Sequence, residues 1–184
     1  METGSANRPW KTIFKEEISR KSRYKIRKQI KKTLQGDGLS TKFLTDILKG
    51  HHHFLGIFPQ DYLIQLRIQS FPVLFILNLD FSTQPGSHWL GIKIDNTCVY
   101  IYDSLGLKPD SWTIKPDILL DFLNQFSKSH KVYCTHRLQT YDSAFCGLYA
   151  LYFILSSSLS FSEQIKPFCG DLKLNDIILS DLYQ

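Results

Sequence analysis

The ten residues Cys146-Gly147-Leu148-Tyr149-Ala150-Leu151-Tyr152-Phe153-Ile154-Leu155 carry no charge and are apolar on every side. A helix of that kind has no face to offer to water, so it predicts a central helix with the rest of the chain wrapped around it. Ser143 stands where an N-cap belongs, and the serines at 156 to 158 close the run. Ala144 to Leu155 is also the longest nearly uncharged stretch; about a dozen residues falls well short of the ~20 needed to cross a bilayer. Met1-Glu2-Thr3-Gly4 opens without an apolar segment, so an intracellular protein with no membrane partner is expected.

A chain of 184 residues, 43% apolar and with 13 Phe, 9 Tyr and 3 Trp, can bury one sizeable core without staples, which excludes a globally disordered protein. Its net charge of +5 is unevenly spread. Residues 1–36 hold eleven Lys and Arg against three Glu, a net +8, and leave −3 for the remainder. The Gln35-Gly36-Asp37-Gly38 stretch therefore divides a basic arm, 1–36, from a slightly acidic body, 37–184. The arm is free of Pro and Gly from Trp10 to Leu34 and reads as a weakly amphipathic helix with Ile18, Tyr24, Ile26 and Ile30 as its sparse apolar positions. It is suited to non-specific phosphate contacts, a solvated tail or a nuclear-targeting segment.

Ser40 or Thr41 is placed to cap a short helix through Leu48, Phe54 to Pro59 reads as extended, and Gln60 to Ile68 as a helix. Val73-Leu74-Phe75-Ile76-Leu77 predicts a strand buried on both faces. A turn at Asp95-Asn96 would fold Trp89–Ile94 onto Thr97–Tyr102 as a hairpin and set His88 opposite Asp103. Alternation then gives one aliphatic face to His88, Leu90, Ile92, Ile94, Val99, Ile101 and Asp103. The other face receives Trp89, Gly91, Lys93, Cys98, Tyr100 and Tyr102. Pro116 to Ser129 predicts a helix, Lys131 to Leu138 a strand and Leu172 to Tyr183 a final amphipathic helix. The fold class is α+β, a mixed central sheet around the buried helix.

No C-x-x-C pair occurs among Cys98, Cys134, Cys146 and Cys169. Neither His51-His52-His53 nor Cys134-x-His136 has the further ligands a metal site requires, so no metal is expected. Cys146 is different. It falls in the first turn of the central helix, where unpaired N–H groups and the helix dipole favour an anion, and His88 is positioned to take its proton. Asp103 would orient the imidazole. Gln139, just past a strand end, would direct its side-chain amide at an acyl oxyanion together with the Cys146 backbone N–H.

The strings Gly86-Ser87-His88-Trp89, the acid at a strand end, and Gln139 through Asp142-Ser143-Ala144-Phe145-Cys146-Gly147-Leu148 resemble the adenovirus protease (adenain) and its relatives in viruses and large DNA transposons. More distantly they are similar to the ubiquitin-like-protein proteases. Phe54-Leu55-Gly56 and the interval from Gln139 to Cys146 favour the adenain side, and the likeness runs from about Leu39 to the C-terminus. It implies a cysteine endopeptidase with Cys146, His88, Asp103 and Gln139 in the roles above, Trp89 and Gly147 contacting substrate, and a preference for Gly beside the cleaved bond.

The resemblance further implies a monomer that matures capsid or core precursors, in the host nucleus and the virion. It calls for no cofactor; the +8 arm, outside the shared core, is a candidate site for DNA as an activator. Two other functions fit parts of the sequence: a deconjugase of ubiquitin-like modifiers, and a non-enzymatic DNA-binding capsid-associated protein.

Overall fold

The computed structural model describes residues 18–112, 117–126 and 128–183. Among them a five-stranded sheet runs in chain order: β1 (Phe54–Pro59), β2 (Val73–Asn78), β3 (Trp89–Ile94), β4 (Cys98–Tyr102) and β5 (His130–Tyr133). The outer pairs β1/β2 and β4/β5 are parallel and the inner pairs antiparallel. Helices α1 (Arg20–Thr33), α2 (Thr41–Leu48), α3 (Asp117–Asn124), α4 (Cys146–Leu155), α5 (Phe161–Ile165) and α6 (Leu172–Leu182) complete an α+β architecture. No helix among the described residues is long and apolar enough to cross a membrane.

Both faces of the sheet are covered, which is why β2 is an unbroken apolar run. Leu74 and Ile76 face the cluster built by α4 with α1, α2 and α6, while Val73, Phe75 and Leu77 face Leu119, Phe122 and Leu123 of α3. Every residue of α4 is buried. The hairpin faces follow the expected alternation: Leu90, Ile92, Ile94, Val99 and Ile101 pack toward α3, whereas Trp89, Tyr100 and Tyr102 lie on the α4 side.

The hairpin register differs from expectation. Ile94 pairs with Val99 and Gly91 with Tyr102, so the turn is Asn96-Thr97 and His88 is not directly opposite Asp103. The carboxylate of Asp95 moves the turn forward: its Oδ1 accepts from the backbone N–H groups of Thr97 (2.8 Å) and Cys98 (2.7 Å). Sliding the turn by one residue changes each pairing by two, which leaves every side chain on its expected face.

The basic segment meets the body in a way its charge does not announce. Ile18, Ile26 and Ile30 belong to the α4 core cluster while Tyr24 is 71% exposed. The charge boundary near Gly36 is thus a turn, with Gly36 at φ +101°, and not a boundary of packing. Residues 10–17 of the expected arm helix lie outside the described residues.

Elsewhere Ser40 caps α2 by accepting from the Phe43 N–H at 3.2 Å. The expected helix from Gln60 to Ile68 is only a 3-10 turn, Gln60–Ile64. Gln60 and Leu63 are buried and Ile64 is 64% exposed, the i, i+3 burial that three residues per turn produces. Strand β5 ends at Tyr133, before the expected Leu138, because Leu138 and Gln139 both donate their N–H groups to the Ser104 carbonyl, at 2.7 and 3.1 Å.

Candidate active site

His88 lies just before β3 and Asp103 just after β4, so the hairpin delivers both to one end of the sheet, where α4 begins. The His88 Nε2 is 2.7 Å from Asp103 Oδ1, and Cys146 lies close enough to the ring to raise its pKa. With Nε2 on the carboxylate, Nδ1 is the nitrogen left for the thiol. Burial pushes the ring toward neutrality, but the hydrogen bond and charge of Asp103, helped by the neighbouring Cys146, outweigh it and raise the His88 pKa to about 10. An imidazolium so held is the countercharge a thiolate nucleophile needs.

Asp103 is 1% exposed and fully occupied. Its Oδ1 also accepts from the Leu105 N–H at 2.8 Å, and its Oδ2 accepts from the indole Nε1 of Trp112 at 2.9 Å. The sequence reading missed Trp112. A tryptophan in the loop after a proposed catalytic acid is the one signal that marks it.

Gln139 is 2% exposed. Its Oε1 accepts from Ser104 Oγ at 2.6 Å and its Nε2 donates to the Ser143 carbonyl at 3.0 Å. That arrangement fixes which end of the amide is the donor and leaves one Nε2 hydrogen for an oxyanion. Ser143 is not the helix N-cap. Phe145 occupies that position and no side chain caps the helix. The Ser143 hydroxyl instead donates to Asp176 Oδ2 of α6 at 2.7 Å, and Tyr149 donates to Asp176 Oδ1 at 3.0 Å. The loop before Cys146 is thereby tied to α6, and the first N–H groups of α4, which no intrahelical carbonyl can reach, are free of a side-chain cap.

A cleft of about 720 Å³ opens onto Cys146, Trp89, Ala144, Leu39, Asn78 and Asp80. Trp89 lines it and donates its Nε1 hydrogen to the Leu39 carbonyl at 3.2 Å. Gly147 is not among the residues that line it. A Cβ at Gly147 would stand 2.9 Å from Leu39 Cβ and 3.1 Å from Trp89 Cδ1, so the glycine serves the close seating of α4 rather than contact with a ligand. Among the described residues no group of three or more His, Cys, Asp or Glu is placed to hold a metal ion; His51 to His53 lie in the loop before β1, far along the chain from any cluster.

No protein-family model matches the sequence, and no curated protein matches it. Among solved structures the chain is similar to the central domain of the uncharacterized Lpg1148 protein from Legionella pneumophila, with TM-score 0.50 and 12% identity over 79% of this chain and 95% of that one. It is also similar to the ASFV pS273R protease, with TM-score 0.49 and 17% identity over 78% of this chain and 67% of that one. The selenomethionine form of that protease gives TM-score 0.46 and 20% identity, with the same coverage. At these identities the likeness is one of fold.

Proposed function

We propose that this protein is a cysteine peptidase. Cys146 is the nucleophile, His88 the base that becomes its counter-ion and Asp103 the group that orients the imidazole. Gln139 Nε2 and the Cys146 N–H receive the oxyanion. The observation that carries this reading is His88 itself, bonded to Asp103 and set beside the Cys146 thiol at the start of an uncapped helix that opens on a cleft. In such an array the thiolate attacks an acyl carbon, the imidazolium returns its proton to the leaving amine, and water then releases the acyl group.

The motif resemblance supports the finer reading: an endopeptidase that cleaves beside Gly and matures structural precursor proteins of a virus or transposon. A second activity, binding of DNA as an activating polyanion, is supported by α1. That helix has eight Lys and Arg and no acid, and all of these except Arg23 are exposed. Because Ile26 and Ile30 of the same helix sit in the core, deletion of the arm is a poor test of DNA binding; charge reversal on the exposed face is a clean one.

The peptidase is tested with a fluorogenic peptide library containing Gly at and near the cleaved bond, comparing wild type with Cys146→Ala. Cleavage by wild type alone is expected. Absence of cleavage together with a Cys146 that resists iodoacetamide overturns the reading.

A further inference from the structure

Asp80 is the one charged residue among those lining the cleft that opens onto Cys146. It is 7% exposed. Ser87 Oγ donates to its Oδ1 at 2.9 Å. Among the described residues no donor reaches Oδ2 and no cation pairs with the carboxylate, yet Oδ2 is not sealed off as the orphaned Gln60 Oε1 is.

The backbone holds Asp80 firmly. Its N–H donates to Asn78 Oδ1 at 2.9 Å, and its carbonyl accepts from the Gln60 N–H at 3.1 Å. A carboxylate taken this far out of water is costly unless a countercharge joins it. The open direction for one is the cleft.

We propose that Asp80 is a specificity-determining residue: it seats a Lys or Arg side chain of the peptide whose scissile carbonyl lies at Cys146. The inference rests on the peptidase reading above. A main-chain N–H would satisfy Oδ2 but leave the negative charge uncompensated, whereas a cation satisfies both and makes the stronger, charge-assisted bond. No other charged residue lines the cleft to compete for it. The cleft's volume of about 720 Å³ leaves room for a long side chain beside an extended backbone.

The test is a positional peptide series in which Lys, Arg, norleucine or Glu is placed in turn at each position flanking the Gly. At one position Lys or Arg is expected to exceed norleucine by about tenfold or more in kcat/KM, with Glu the poorest. Asp80→Asn should bring the Lys-to-norleucine ratio close to one, and Asp80→Lys should invert the preference toward Glu. Ser87→Ala keeps the carboxylate and should keep the preference, which separates charge recognition from the clamp that Asp80 makes on the loop before His88.

Cleavage without a cation preference at any position, or an Asp80→Asn ratio equal to that of wild type, overturns the proposal and leaves the peptidase intact. Failure to cleave any peptide, with Cys146 inert to iodoacetamide, overturns both.

Discussion

Trp112 and His88 divide the two oxygens of Asp103 between them: the indole donates to Oδ2 at 2.9 Å while the imidazole Nε2 stands 2.7 Å from Oδ1. The carboxylate therefore has no rotational freedom to spend, and neither does the ring it holds. Trp112 touches no reacting atom in this scheme; it is a positioning residue.

Trp112→Phe leaves Oδ2 buried without its donor, a loss of about 1–3 kcal/mol. The expected result is a kcat reduced by about tenfold or more with KM little changed, and a displaced pH dependence of Cys146 alkylation. A variant that loses only thermal stability, with both profiles in place, would make Trp112 a core residue and nothing more.

The pH dependence of stability follows from His88. Its folded pKa, about 10, exceeds the ordinary imidazole value of 6.5, so the folded protein holds a proton that the unfolded chain releases. This contribution is fully present below about pH 6.5 and is lost as pH rises through about 10. Thermal midpoints measured across that window should decline for wild type more than for His88→Ala, and equal declines would mean that the ring is not held as an imidazolium.

Gly147→Ala adds a methyl group 2.9 Å from Leu39 Cβ and 3.1 Å from Leu39 Cγ and Trp89 Cδ1. Alanine favours helices over glycine by about 1 kcal/mol, but overpacking against two anchored side chains costs about 1–3 kcal/mol. The balance predicts a lower melting temperature and, because Trp89 adjoins His88, slower thiol alkylation. Circular dichroism melts and an iodoacetamide rate check the pair of effects.

Helix α1 separates charge from packing. Lys25→Glu, Lys28→Glu and Lys32→Glu together should abolish binding to duplex DNA at low salt while leaving the melting temperature nearly unchanged, because all three side chains are exposed. Ile26→Ala and Ile30→Ala should each cost about 2–5 kcal/mol of stability. Fluorescence anisotropy against salt and thermal melts distinguish the two sets; DNA affinity unaffected by the triple reversal would remove the helix from any polyanion site.

The sequence made β2, α4 and the hairpin faces legible because each depends on a short-range period: a two-sided apolar run, an all-round apolar helix and strict alternation. It did not make the hairpin register legible, since the Asp95 carboxylate outcompetes the expected turn through a local side-chain bond. His88 and Asp103 still meet because parity, rather than exact opposition, decides the face.

Ser143 read as a cap because Ser is common there; its hydroxyl is instead claimed by Asp176, 33 residues later in the chain. Trp112, Ser104 and Asp176 escaped notice for the same reason. Each supports the site through hydrogen bonds to residues nine or more positions away, which leave no period behind. The docking of α1 was hidden by its charge, for eight cations lower the helix's mean hydropathy without abolishing the buried stripe of Ile26 and Ile30.

At the other end of α4, a Cβ on Gly91 would stand 2.5 Å from Phe153 Cδ1, as one on Gly147 would crowd Leu39 and Trp89. The helix therefore behaves as a beam resting on two seats, each cut to depth by a missing side chain, with the sulfur of Cys146 overhanging the forward one. Thickening the rear seat tilts the beam about the front. Gly91, three residues along β3 from His88, is thus where added bulk would press on Phe153 and lift the rear of the helix off the sheet.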